Sequence, residues 1–354
     1  MSDYDIAIIG GGPAGATLAR LLDSRFRTVL IDGKTDAADS FRKVCGGLLS
    51  PDAQKAFAEF DLTLPKDILV DPQIFSVRTI DLQTRRERRY QRFYMNLDRH
   101  KFDLWLESLV PCGVERFYGR CKNISRGNDG AYSLVCRGND GSERIITADR
   151  IVGAEGASSA VRRFLYPDKK IRRYTAVQQW FAEEHSNPFY SCIFDPQTTD
   201  CCSWSISKDN MFIFGGAFAP RGCRESFERQ KLRLAEYGFK FGEPLKTEAC
   251  TVLRPRSPFD ICSGRDGAFL IGEAAGLISP SSLEGISFAV NSAKLLADVL
   301  NGGAAEKRYA AGLLPMRIKI AAKVMKCPFM YEPVLRNAVM KSGIASININ
   351  TNNQ

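Results

Sequence analysis

Three glycines spaced Gly10-x-Gly12-x-x-Gly15 separate a short apolar run, Asp5 to Ile9, from a run of small and aliphatic residues at helical spacing, Ala14 to Leu22. Strand, turn and helix follow in that order, and each glycine meets a physical requirement. Gly10 permits a tight turn, Gly12 lets the backbone approach a pyrophosphate, and Gly15 lets the helix pack on the strand. Pro13 and Ala14 fall in the same turn, at a helix start whose N–H groups and positive dipole end face anionic oxygens. Asp32 closes the next β-branched run, Thr28 to Ile31, where a carboxylate accepts ribose hydroxyls and repels a 2′-phosphate. Together these residues read as the binding turn for the ADP half of a dinucleotide, NAD or FAD.

A second glycine-rich turn, Gly272-Glu273-Ala274-Ala275-Gly276, follows the apolar run Ala268 to Ile271 and precedes Glu284-Gly285-Ile286. It offers N–H groups and a carboxylate for the far end of a flavin dinucleotide; the plain alternative is a helix N-cap with glycine packing. Only two histidines, His100 and His185, are present, which excludes a three-His metal centre. The eleven cysteines lack paired Cys-x-x-Cys spacing, so no metal site is expected and most read as small buried hydrophobes. For Cys45 a packing role and a chemical one both stand.

The elements that position these residues form a parallel βαβ unit of the Rossmann type at the start of the chain. Ile151 to Gly156 and Ala268 to Gly272 read as further buried strands ending in glycines, so the nucleotide domain is discontinuous. Tyr132 to Cys136 and Arg144 to Thr147 read as a hairpin around Gly138-Asn139-Asp140-Gly141. Between residues 164 and 258 the pattern becomes that of a half-buried antiparallel sheet, with Ser203 to Ser207 turning at Lys208-Asp209-Asn210 and returning as Met211 to Phe214. The expected fold class is α/β with α+β elements. The FAD-type domain spans 1–75, 95–163 and 259–310, the inserted sheet domain 76–94 and 164–258, and a helical region with a frayed tail 311–354.

Composition is that of an ordinary globular protein, 44% hydrophobic and 25% charged, with a formal net charge of +9. No apolar run reaches the ~18 residues of a membrane span, and neither a signal peptide nor a membrane helix is expected. The Arg-rich run from Thr84 to Arg92 reads as a solvated strand or loop rather than a nucleic-acid site. Arg317, Lys319, Lys323 and Lys326, among Ile318, Ile320 and Val324, read either as a packing helix or as a helix resting on an anionic membrane surface. The expected location is cytoplasmic, with or without that contact.

Taken together, Gly10 to Gly15, Lys43-Val44-Cys45-Gly46-Gly47, Arg99 with Phe102-Asp103, Gly153 to Ser159 with Arg162, and Gly272 to Ile286 resemble the geranylgeranyl-reductase-like branch of the para-hydroxybenzoate-hydroxylase fold, and within it the CbrA flavoproteins. The resemblance implies FAD. It implies that Ala14 and Asp32 touch the adenosine half and that Cys45, Gly46 and Gly47 lie close to the flavin. Arg99 and Glu273 would reach the pyrophosphate or ribityl region, and the backbone at Gly285 and Ile286 would meet the ring. The glycine motifs carry Glu155 and Glu273 where family members usually have Asp. Of a family Tyr-x-Trp-x-Phe-Pro stretch only Trp204 survives.

The activity implied is hydride transfer from reduced FAD to an apolar C=C acceptor, isoprenoid or lipid, with Cys45 assisting the proton. A flavin monooxygenase and a non-catalytic flavin redox sensor are the alternatives. The reductant is NAD(P)H or a ferredoxin-type donor, since a second nucleotide fingerprint is missing. Trp180, Phe181, Phe189, Tyr190, Phe194, Trp204, Phe212 and Phe214 are the aromatic candidates for a substrate pocket, with Trp204, Trp180 and Phe214 foremost.

Overall fold

Strand Tyr4–Ile9 is apolar on both faces, as a strand in the middle of a covered parallel sheet must be. In the computed structural model, which describes residues 2–37, 42–185, 190–303 and 306–348, it pairs in parallel with Thr28–Ile31 on one side and Glu143–Gly153 on the other. Ala268–Leu270 continues the parallel order beyond 143–153, and Glu115–Phe117 continues it beyond 28–31. Helix Pro13–Leu21 follows the first strand directly and packs on helix Ile286–Asn301. These elements belong to the first of two compact units, formed by Met1–Arg42, His100–Arg172 and Leu253–Ala322.

The hairpin expected around residue 140 is present, but its second arm does not stop at Thr147. Strand Glu143–Gly153 runs on without a break: residues 143–148 pair antiparallel with Tyr132–Gly138, and residues 148–153 pair in parallel with Tyr4–Ile9. Its first eight residues are mostly exposed, broken by buried Ile146 and Ala148, and its last three residues are wholly buried, which is why the sequence reads as two strands.

The second unit comprises Lys43–Arg99, Arg173–Val252 and Lys323–Gln354. Its seven-stranded sheet runs in the order Lys246–Leu253, Arg173–Ala182, Met211–Phe218, Ser203–Lys208, Tyr190–Phe194, Ser76–Asp81, Arg86–Gln91. One face buries Val177, Phe181, Ile193, Phe212, Phe214 and Phe218 together with Phe227 and Leu234 of helix Cys223–Leu234. This aromatic cluster is the core of the unit.

The domain limits read from the sequence therefore move. Residues 43–75, assigned to the nucleotide domain, pack with the second sheet: Asp71 N–H donates to Asp209 Oδ1 at 2.9 Å, and Asn96 Nδ2 donates to the Pro72 and Ser207 carbonyls at 3.0 Å each. Residues 311–354 do not stand alone either, because they divide at Ala322 between the two units. Phe189 and the end of the Asn-rich tail lie outside the described residues. Among the described residues no helix is long and apolar enough to cross a membrane. Arg317 of helix Leu314–Tyr331 donates to the Pro258 and Ile261 carbonyls at 2.7 and 2.9 Å, and Lys319 lies 5.6 Å from the Phe288 ring. Both contacts are made to residues of the first unit.

Helix Pro333–Ser342 is tied to the sheet by an ion pair between Arg336 and Asp81, whose side chains are 4% and 0% exposed. Arg336 Nε and Nη2 meet the two carboxylate oxygens at 3.0 Å each, and Thr84 Oγ1 donates to Oδ2 at 2.9 Å. Burial pushes the Asp81 pKa up, but the hydrogen bonds and charge of Arg336 outweigh it and leave the carboxyl below its ordinary value. Arg336→Met strips a buried carboxylate of its cation and is expected to cost about 3–5 kcal/mol near neutral pH in urea unfolding. A carboxyl lowered in the folded state contributes above its unfolded value of 3.8 and loses that contribution as pH falls through the folded one. The stabilities of variant and parent are thus expected to converge in acid.

Candidate functional site

At the turn between Tyr4–Ile9 and Pro13–Leu21 the three glycines separate by geometry. Gly10 has φ +105°, and a Cβ there would sit 2.6 Å from the Ala154 carbonyl oxygen. A Cβ on Gly15 would run into the carbonyl oxygen of Gly10, so this glycine sets the contact of helix on turn. Gly12 differs from both. Its φ of −70° suits any residue, and a Cβ there would meet nothing within 4 Å among the described residues.

Gly12 is also the N-cap of helix Pro13–Leu21, with no side-chain cap bond, so the first N–H groups of the helix face that open space. Asp32 stands beside it, its carboxylate accepting from the Gly11 N–H and, at 2.6 Å, from the Lys34 N–H. Lys34 in turn reaches Asp103 Oδ2 at 3.0 Å, an ion pair buried on both sides. An open cradle at a helix N-terminus, flanked by a fixed carboxylate, fits a diphosphate and its ribose.

The two acidic residues of the later glycine motifs are held by the chain itself. Glu155 accepts from Ser159 Oγ at 2.7 Å, Ala160 N at 3.0 Å and Val161 N at 3.3 Å, capping helix Ala160–Leu165. Burial raises its pKa, against these hydrogen bonds. Its carboxylate is engaged at the helix terminus. Glu273 Oε1 accepts from the Leu253 N–H at 2.9 Å.

Arg162 joins the two motifs. Its guanidinium donates to the carbonyls of Ala157, of Ala274 at 2.7 Å and of Glu273 at 3.3 Å. Gly272, with φ +56°, donates its N–H to Ser292 Oγ at 2.9 Å and leaves room for Ala14, whose Cβ lies 3.0 Å from where a Gly272 Cβ would be. Gly285 is the N-cap of helix Ile286–Asn301, and Ile286 is buried at its first position. Gly10, Gly12, Pro13, Ala14, Gly15, Asp32, Gly272, Glu273, Gly285 and Ile286 all belong to the first unit.

Cys45, Gly46, Gly47, Trp180 and Trp204 belong to the second, as does Arg99, the first residue of helix Arg99–Ser108. Strand register puts Cys192, Trp204, Gly215 and Gln178 in one row across the sheet, and Ile206, Ile213 and Trp180 in the next row on the same face. The Trp204 indole lies over Gly215, where a Cβ would be 2.7 Å from its ring, and its Nε1 donates to Gln178 Oε1 at 3.1 Å. The loop carrying Cys45 rests on this face. A Cβ on Gly46 would meet Ile206 Cδ1 at 2.7 Å and Trp204 Cδ1 at 3.6 Å, and the Gly47 N–H donates to Cys45 Sγ at 3.4 Å.

Phe214 is a correction. Neighbouring residues of a strand point to opposite faces, so Phe214, next to Gly215, turns away from Trp204 and is fully buried in the core under helix Cys223–Leu234. Phe181 and Phe212 lie in the same core. Trp180 does share the Trp204 face, with its Nε1 bound to Glu248 Oε2 at 2.8 Å.

Sequence reading missed Lys208, taken for a turn residue. It ends strand Ser203–Lys208 buried on the Trp204 face, with Nζ donating to Asn96 Oδ1 at 2.6 Å and the Leu97 carbonyl at 2.8 Å. Burial brings its pKa down to about 8, against the opposing pull of Cys45 and Asp98. The signal was present, because period-two alternation from Trp204 and Ile206 places residue 208 on the same face. The pair Gly215-Gly216 inside a strand likewise marks a close approach.

Protein CbrA of Escherichia coli O157:H7 is 48% identical to this chain over 351 residues, which is 98% of this chain and 99% of the relative. No protein-family model matches. Solved structures that share the fold include the following two. A geranylgeranyl bacteriochlorophyll reductase-like protein from Thermoplasma acidophilum superposes with a TM-score of 0.71 at 20% identity, over 98% of this chain and 88% of its own. PqsL of Pseudomonas aeruginosa, a probable FAD-dependent monooxygenase, gives 0.68 at 18% identity, over 96% and 99%.

Two outcomes follow from the geometry. Gly12→Ala is expected to leave stability within about 0.5 kcal/mol in thermal melts yet to weaken binding of an ADP-containing dinucleotide about tenfold or more by titration. Gly10→Ala is expected to destabilise the fold itself by about 1–3 kcal/mol. For Lys208, the unfolded chain holds a proton between about pH 8 and 10.5 that the folded chain has released, so its contribution makes stability rise with pH across that window. Lys208→Met is expected to remove that rise, a slope of up to ~1.4 kcal/mol per pH unit.

Proposed function

The chain belongs to the CbrA family, and we propose that it is an FAD-dependent oxidoreductase that reduces a C=C bond of an apolar, isoprenoid- or lipid-like substrate. The observation that carries the cofactor is the open cradle at Gly12 beside the Asp32 carboxylate. Bound there, FAD would supply hydride or electron chemistry at its ring, and the protein would be left to bind, orient and protonate. Ala14 and Asp32 would hold the adenosine half. Glu273 and the backbone of Gly285 and Ile286 would hold the remainder, and the family resemblance implies roles near the flavin for Arg99, Cys45, Gly46 and Gly47.

The reduction reading is favoured by the face that carries Trp204. Half-buried Trp204, backed by the buried Ile206 and Ile213, gives it apolar surface, and Cys45 lies on the loop that rests on it. Saturating a C=C bond takes one hydride and one proton, and an S–H beside an apolar wall can deliver the proton while water is excluded. Trp204, fixed by Gln178, would orient the substrate. The reductant would be NAD(P)H docking transiently or a ferredoxin-type donor. The likeness to PqsL keeps oxygenation as the reading to be tested against reduction.

Purified protein loaded with FAD and reduced without oxygen separates the two. Oxidation by apolar alkenes, with two hydrogens gained by the product, is expected; oxygen uptake with oxygen found in the product would overturn reduction. Cys45→Ser is expected to retain FAD and to lower turnover with the alkene about 10²-fold.

A further inference from the structure

The strands Gly119–Arg126 and Tyr132–Gly138 place Cys121 and Cys136 directly opposite each other. Directly opposed residues of an antiparallel pair have Cα atoms about 4.5 or 5.5 Å apart. Both spacings fall within the roughly 4.4–6.8 Å that a disulfide spans. The two side chains project from the same face, and the Cys121 thiol donates to the Asn123 carbonyl at 3.4 Å, across the point where the ladder slips. Immediately after Cys121 the ladder slips, between Cys121 and Asn123, and a bulge lets a strand adjust its local geometry.

Both residues are reduced cysteines, Cys121 partly exposed and Cys136 fully buried. The Cys121 S–H lowers the Cys136 pKa against the effect of burial, and the Arg144 charge, from the residue paired with Cys136 on its other side, adds to the lowering. Cys121 is shifted the opposite way, first by Cys136 and then by burial. Cys136 is thus the sulfur favoured as thiolate, the form that attacks an oxidised partner to close a disulfide, while Cys121 is the one that solvent reaches.

We propose that Cys121 and Cys136 form a reversible dithiol–disulfide pair oxidised by peroxide. The step balances as two thiols and one hydrogen peroxide giving one disulfide and two waters: the O–O bond breaks, the S–S bond forms, and two electrons pass from sulfur to oxygen. Cys121, the exposed partner, meets the oxidant, and Cys136 sulfur then displaces water from it. The new bond fastens strand 119–126 to strand 132–138. Strand 119–126 packs on helix Ala160–Leu165, the helix that Glu155 caps, so oxidation acts on the support of the Gly153 to Ser159 motif.

Peptide mapping under non-reducing conditions tests this without any assay of turnover. The full-length protein is treated with hydrogen peroxide, its remaining thiols are alkylated under denaturing conditions, and the fragments are weighed. The expected product joins the Cys121 and Cys136 peptides, two hydrogens lighter than their sum, and dithiothreitol returns both to alkylatable thiols. In Cys136→Ser, Cys121 is expected to stop at the sulfenic acid and to be trapped by dimedone. Should Cys136→Ser fail to fold, Cys121→Ser serves, with Cys136 expected to stay reduced. Both peptides remaining reduced while other cysteines oxidise, or Cys121 passing to the sulfinic acid in the parent protein, would overturn the pair.

Discussion

The chain crosses over itself between Gly10 and Gly15 so closely that neither position admits a side chain, and the first unit is arranged around that crossing. A strand leads straight into a helix there, with the Gly10 carbonyl under the helix and the Ala154 carbonyl under Gly10. Two parallel strands, Tyr4–Ile9 and Glu143–Gly153, are thereby brought to end at one level. The same crossing leaves Gly12 outermost, its flank open and the helix N–H groups behind it. Close packing and ligand access are two consequences of one backbone path.

Around that path, buried polar groups are answered by the chain before any ligand is considered. A buried donor or acceptor left without a partner costs about 1–3 kcal/mol, more if charged. Glu155 answers the free N–H groups of a helix, Glu273 the Leu253 N–H, and the Arg162 guanidinium three carbonyls of two separate motifs. An acid in a glycine motif is therefore not by that fact a ligand-binding acid. Glu155 reaches past its own turn to the next helix, and its longer side chain makes that reach possible.

In the second unit the governing constraint is the two-residue period of a strand. One face of the sheet must be closed by helix Cys223–Leu234, and the aromatics that do this are Phe181, Phe212, Phe214 and Phe218. The opposite face keeps Trp204, Ile206, Ile213 and Gly215, and the Cys45–Gly47 loop lies on it. Lys208 pins that loop from below, with Asn96 and the Leu97 carbonyl as partners. A Cβ on Gly47 would come within 2.8 Å of its Nζ, so loop and lysine are fitted to one another.

What the sequence determined by itself is what depends on neighbours a few residues away. The turn from Gly10 to Gly15, the helix that starts at Pro13, Asp32 at the end of the second strand and the alternation from Ser203 onward are all local, because backbone sterics and strand or helix period act over one or two turns. Tertiary structure decided what depends on which face is covered. It sent Phe214 into the core and left Trp204 half-buried, although both are aromatic residues of neighbouring strands. It made Lys208 a buried anchor in place of a turn residue and gave Glu155 to a helix terminus. It drew the boundary at Arg42, because the segment after it reaches partners far along the chain, as Asp71 does at Asp209 and Asn96 at Ser207. Such partners are brought close only by folding, and no local pattern of residues encodes which of them will be met.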